Sequence, residues 1–189
     1  IPTSVYETTI ETAHQYLPQL HRYMALKKHL LQLDELHIYD LSVPAGSQLE
    51  RRFPYEEALH LLRSALAPLG QTYLQDMFQG IQNGWIDLYE NKGKQSGAYS
   101  ADIYGVHPYV LLNYSDRYDD VSTLAHELGH AMHSFYSSQK QPYINADYSM
   151  FCAEVASTTN ENLLLEYMLD AAASKEERLY FLNQYLELI

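Results

Sequence analysis

A chain of 189 residues, 47% hydrophobic and 19% charged, is long enough to bury a core and is expected to form one domain. Its 13% aromatic content, including 18 tyrosines, supplies too much apolar surface for a solvated, disordered chain. With 24 acidic against 12 basic residues the formal charge is -12, which removes the attraction to phosphate that nucleic-acid and anionic-membrane binding need.

In chain order, apolar residues recur at three and four from Thr3 to about Leu33 (Tyr16, Leu17, Leu20, Tyr23, Met24, Ala25). This predicts two helices, or one broken near Pro18. After a loop through Pro44 and Gly46, Pro54 suits a first helical residue and opens a helix to about Leu69. Gly70 ends it, and another helix runs to about Gln82, with Asn83-Gly84 as its stop. Gly93, Gly97 and Gly105 then punctuate short stretches rich in aromatic and β-branched residues. Ala98 to Ile103 and Tyr109 to Tyr114 are expected to be strands of a small antiparallel sheet. Helical patterns return at about 121 to 137, about 149 to 171, and from Lys175 onward, where Ser174 and Glu177 form a capping-box pattern. The domain is thus expected as three consecutive regions: 1–84 helical, 85–118 a small sheet and 119–189 helical. Because the chain starts with Ile1 and stops at Ile189 within a helical pattern, we expect a piece truncated at both ends. The native N-terminus, and any targeting signal, is then out of view.

The one cysteine, Cys152, excludes an internal disulfide framework and fits a reducing, cytoplasmic compartment. Its apolar neighbours suggest a small buried residue rather than a nucleophile. Runs such as Leu163 to Leu165 are far too short to span a bilayer.

The third helical stretch from the end contains His126-Glu127-Leu128-Gly129-His130. At about 100° per residue, His126 and His130 lie roughly 40° apart and one turn along the axis. Two imidazoles so placed can hold one zinc ion, while Glu127 flanks the metal and can take a proton from its bound water as that water attacks a carbonyl. The blander alternative is a solvated helix carrying two histidines and a glutamate. Gly129 argues against it, because glycine inside a helix costs about 1 kcal/mol relative to alanine. Its place near the same face implies that something approaches the backbone closely. Such a site also needs a third ligand and an open fourth position. Glu154, 24 residues after His130 in Phe151-Cys152-Ala153-Glu154-Val155-Ala156-Ser157, stands on the next helix, after room for a loop and an antiparallel return. Small neighbours (Ala153, Val155, Ala156) suit two closely packed helices.

Thr123-Leu124-Ala125-His126-Glu127-Leu128-Gly129-His130-Ala131-Met132-His133, followed by Ala153-Glu154-Val155-Ala156-Ser157, resembles the thimet oligopeptidase and oligoendopeptidase F family, the bacterial oligoendopeptidase F branch most of all. The likeness extends upstream through Gly84-Trp85-Ile86-Asp87, Gly93-Lys94-Gln95-Ser96-Gly97-Ala98-Tyr99-Ser100 and Pro108-Tyr109-Val110-Leu111-Leu112-Asn113-Tyr114. It implies a mainly α fold with a small antiparallel sheet: a zincin-like (gluzincin) catalytic core within a larger helical peptidase. It implies one Zn2+ per chain on His126, His130 and Glu154, with Glu127 as general base. It also implies short peptide substrates, laid along a strand that matches Gly97, Ala98, Tyr99 and Ser100. The partner implied besides peptide is the remainder of the full-length peptidase. The family's substrate-contacting tyrosines and histidines lie downstream of the zinc helices. A chain ending at Ile189 is therefore expected to carry the metal site but lack full activity alone, since oxyanion donors are worth about two to three orders of magnitude in rate.

His133, about 20° off the face of His126, is expected to pack or to hydrogen-bond behind the metal. Glu161, on the face of Glu154, is a candidate for the same supporting role, against the alternative of a solvated side chain. Three rival readings stay open: a related zinc carboxypeptidase or dipeptidase, a non-catalytic peptide-binding module on a zincin-like scaffold, and a purely structural zinc site. Cobalt or manganese would also suit these donors.

Overall fold

Proline and glycine set several of the helix ends in this computed structural model, which describes residues 2–44 and 51–187. Gly46, Leu188 and Ile189 lie outside the described residues. The fold is mainly helical, with three short strands among the described residues. The chain divides into two compact units, Ile1–Leu49 with Ala173–Ile189, and Glu50–Ala172.

In the first unit, α1 (Thr3–Leu30) is one continuous helix with Pro18 inside it. Proline deprives the His14 carbonyl of its helical donor, yet both residues are exposed, so water can satisfy that carbonyl and the break is not forced. A short 3-10 helix, Ile38–Ser42, follows, and Lys27, almost fully buried, donates from Nζ to the Leu41 carbonyl. The last helix of the chain, Lys175–Glu187, also belongs to this unit. Ser174 Oγ accepts the Glu177 N–H at 3.0 Å and the Glu177 carboxylate reaches back to the Ala173 N–H at 2.8 Å, so the expected cap forms with its return bond one residue earlier.

The second unit begins with α2 (Tyr55–Ala65), where Pro54 precedes the first turn and its carbonyl accepts the Ala58 N–H. Helix α2 ends sooner than Leu69, because Ala67–Leu69 tightens into a 3-10 turn before Gly70 reverses at φ 94°. Then α3 (Gln71–Gln82) stops at Asn83-Gly84, Gly84 supplying φ 83°.

The sheet is mixed rather than antiparallel, which corrects the expectation. Strand β1 (Ile86–Asp87) pairs parallel with β3 (Tyr109–Leu111), and β2 (Tyr99–Ala101) pairs antiparallel with the other side of β3. Two residues of β1 are too few for any alternation to register in the sequence. The order β1-β3-β2 leaves β2 at an edge. Asn113 Nδ2 donates to the Gln95 and Gly97 carbonyls at 3.0 and 2.8 Å, fixing the turn into β2, where Gly97 takes φ 90°.

Helix α4 (Tyr118–Lys140) starts three residues earlier than the pattern suggested. The Asp120 carboxylate accepts the Arg117 and Ser115 N–H groups at 2.9 and 3.0 Å, and buried Tyr118 packs edge-on to Phe53. The expected connecting loop contains a short turn of helix, α5 (Tyr143–Ala146), before α6 (Met150–Ala171) returns along α4; α7 is the Lys175–Glu187 helix. Val121, Leu124, Leu128 and Met132 of α4 share the core with Leu164, Leu165 and Met168 of α6, Val110 and Leu112 of the sheet, and Leu62 and Met77. Among the described residues no helix is long and apolar enough to cross a membrane.

Candidate metal centre

Helices α4 and α6 approach closely at Gly129. A Cβ there would stand 2.6 Å from Ser157 Cα and 2.8 Å from both the Ala156 carbonyl oxygen and the Ser157 nitrogen. The α6 backbone is therefore the group that requires glycine in the middle of α4. Ser157 is fully buried at this contact, whereas Val155, Met150 and Phe151 are exposed. Cys152 is exposed too, which corrects the expectation of burial: apolar sequence neighbours place a residue in a core only when its own helix face is turned inward, and here the face that packs carries Ala156, Ser157 and Asn160.

With the helices this close, His126 Nε2, His130 Nε2 and Glu154 Oε2 form a nearly equilateral triangle. The two nitrogens are 3.1 Å apart, and each is 3.3 Å from the carboxylate oxygen. These three side chains are a group able to hold a metal ion. A tetrahedral zinc with bonds of about 2.0–2.1 Å needs donors about 3.3–3.4 Å apart, so the triangle fits that ion with little adjustment. Two neutral nitrogens and one anionic oxygen also match its ligand preferences. The Glu154 side chain is 60% exposed, so one side of the triangle faces solvent.

The surrounding groups hold each member in place. Ser157 Oγ donates to Glu154 Oε2 at 2.7 Å and holds that carboxyl below its ordinary range, with His130 and His126 adding to the effect. Glu161 Oε2 lies 3.3 Å from His126 Nδ1, and this bond raises the His126 pKa. It turns the ring so that Nε2 faces the centre. Glu161 is thus paired and mostly buried rather than solvated. Burial, then the neighbouring His126, lowers the His130 pKa, which favours the neutral ring a metal needs.

Glu127 is 7% exposed, and burial raises its carboxyl above the ordinary range. The Ser100 backbone lies against it and offsets part of that rise, so the edge strand β2 borders this carboxylate. Of the stretch Gly97, Ala98, Tyr99 and Ser100, the first two line a cavity of about 260 Å³ with Leu112, Asn113 and Thr123, and Tyr99 is half exposed. His133 does not reach the triangle through any hydrogen bond. Its ring stacks on Tyr148 with centroids 3.8 Å apart, its Nδ1 is buried without a partner, and burial lowers its pKa. Sequence reasoning missed the roles of Ser157, Asn160 and Tyr148. The i+3 spacing of Ser157 from Glu154 was a usable signal; nothing local marks the other two.

The sequence model of Peptidase family M3 matches residues 1–189. The chain belongs to peptidase family M3. Among curated M3 relatives it is 48% identical to the oligopeptidase PepF of Bacillus subtilis (strain 168) over 187 residues, 99% of this chain but 28% of that protein. It is 45% identical to the group B oligopeptidase PepB of Streptococcus agalactiae, again over 99% of this chain and 31% of that one. The chain therefore spans about 30% of the length of these relatives. A crystal structure of a candidate peptidase from Chlamydophila abortus superposes with a TM-score of 0.88 at 42% identity, covering 100% of this chain and 31% of the other. A candidate oligoendopeptidase F from Bacillus anthracis str. Ames shares the fold at a TM-score of 0.72 and 18% identity, over 96% of this chain and 34% of its own.

Proposed function

We propose that these residues form the catalytic core of a zinc-dependent endopeptidase that hydrolyses short peptides. The observation that carries this reading is the His126–His130–Glu154 triangle with edges of 3.1–3.3 Å beside a buried glutamate. His126, His130 and Glu154 would hold one zinc ion; Ser157 and Glu161 orient two of them. When bound, zinc supplies Lewis acidity to a carbonyl and brings the pKa of a water towards about 7.

Glu127 is the general base. As a water oxygen bonds to the scissile carbonyl carbon, Glu127 takes the proton that the water releases. It passes that proton to the amide nitrogen, which leaves as an amine when the C–N bond breaks. A carboxyl raised by burial is suited to carrying a proton between these two stations. No covalent enzyme intermediate is required, and Cys152 has no role in the chemistry. Gly97, Ala98, Tyr99 and Ser100 bind the substrate backbone. An extended peptide laid on the edge of β2 meets Glu127 through Ser100, and backbone pairing accepts varied side chains. His133 supports the metal helix by packing on Tyr148. The remainder of a longer chain, in a cytoplasmic protein, would cover the exposed Tyr143, Ile144, Met150 and Phe151 and limit access to short peptides; the greater length of the relatives supports this.

Cleavage of a short peptide blocked at both ends tests the reading. The complete protein is expected to cut it internally, and Glu127→Gln to retain metal while losing about two to four orders of magnitude in kcat. Cleavage that needs a free terminus, or that survives Glu127→Gln, would overturn it.

A further inference from the structure

Asn160 is 1% exposed and lies six residues beyond Glu154, short of two turns and about 120° round α6 from it. Its amide touches two other helices. Nδ2 donates to the Ala125 carbonyl of α4 at 3.0 Å and approaches the Tyr73 hydroxyl of α3 at 3.1 Å, while that hydroxyl lies 3.2 Å from Oδ1. A carbonyl can only accept, so Nδ2 must face Ala125, which leaves the Tyr73 hydroxyl to donate to Oδ1. The amide orientation is thereby fixed from both sides.

Ala125 directly precedes His126, and in the helical ladder its carbonyl also receives the Gly129 N–H. Asn160 therefore grips α4 at the peptide between Ala125 and His126. The Gly129 contact with Ala156 and Ser157 grips it one turn further along. Apolar side chains alone permit sliding at little cost, but a buried amide that loses its partners does not, because desolvated polar groups must remain paired. Two such attachments set both the spacing and the register of α6 against α4. Register is what brings Glu154 to His126 and His130, and Glu161 to His126.

We propose that Asn160, held by Tyr73, is a positioning residue of the metal centre: it locks the register in which Glu154 and Glu161 meet the two histidines. The proposal rests on the metallopeptidase reading above.

The test titrates Co2+ into the metal-free complete protein and reads its affinity and its visible absorption bands, which report the ligand geometry. Asn160→Leu removes the brace, and Asn160→Asp turns a carboxylate oxygen against the Ala125 carbonyl. Each is expected to weaken Co2+ binding about 10- to 100-fold and to alter the bands. Tyr73→Phe, which removes one hydroxyl, is expected to weaken it roughly two- to tenfold. Met77→Ala, a fully buried change on α3 one turn from Tyr73 that removes none of the brace's hydrogen-bonding groups, should lower the melting temperature while leaving Co2+ affinity and bands as in the wild type. Wild-type affinity and bands in Asn160→Leu would overturn the proposal, as they would in Tyr73→Phe should the leucine variant not fold. Equal changes in Met77→Ala would also overturn it, by showing general destabilisation. Failure of the wild type to bind Co2+ at all would bring down the metallopeptidase reading itself and the proposal with it.

Discussion

Gly129→Ala opposes two effects that can be weighed from the structure. Alanine in a helix interior is favoured over glycine by about 1 kcal/mol, so propensity alone makes the variant more stable. The added Cβ, however, would sit 2.6 Å from Ser157 Cα, where ordinary contact begins near 3.4 Å. Helix α6 must retreat by about 0.8 Å, and since the nearest atoms are backbone, no side-chain rotation relieves the clash. Overpacking of this kind costs about 1–3 kcal/mol, enough to cancel or exceed the gain. The larger consequence falls on the metal centre. Glu154 lies one turn before Ser157 on α6, so the same retreat stretches its 3.3 Å separations from His126 and His130 beyond the span of a tetrahedral ion. Zinc affinity, measured by competition with a chromogenic chelator, is expected to fall about 10- to 100-fold. Thermal melts of the metal-free protein should show equal or lower stability. A Gly129→Ala protein about 1 kcal/mol more stable, with zinc affinity unchanged, would refute the close-approach argument.

Glu161→Ala removes the carboxylate on His126 Nδ1 and is expected to weaken zinc binding about 10- to 100-fold without changing the cleavage site in a blocked peptide; unchanged zinc affinity would show that the His126 ring needs no such partner. Tyr55 is raised from the ordinary tyrosine range to about 12, by burial first and then by Tyr89 and Glu56. The folded state thus holds this proton more tightly than the unfolded one, so the associated stability is full below about pH 10 and is lost as pH rises from there through about 12. Urea midpoints compared at pH 9 and pH 11 should fall less steeply in Tyr55→Phe than in the wild type; equal slopes would contradict the assignment.

Local rules explain much of the architecture. Helix periodicity turns the four-residue step from His126 to His130 into a shared face, and an antiparallel return puts Glu154 within reach of both. Gly129 announces a close approach because its helix cost demands a reason, and Gly70 and Gly84 mark their stops through positive φ. What the sequence leaves dark is decided at long range. Strand β1 exists because the Trp85 and Asp87 carbonyls meet the Val110 and Leu112 N–H groups, a pairing no short window contains. Pro18 fails to break α1 because the exposure of His14 lets water replace a bond. The burial expected for Cys152 depended on which face of α6 turns inward, and Tyr73 and Asn160 are separated by 87 residues before the fold joins them.

The most direct test of the central claim is the metal content of the protein, purified without chelator or nickel affinity and measured by elemental analysis. About one zinc per chain is expected, lost in His126→Ala. Absence of bound zinc, even after zinc is added to the folded protein, would contradict it.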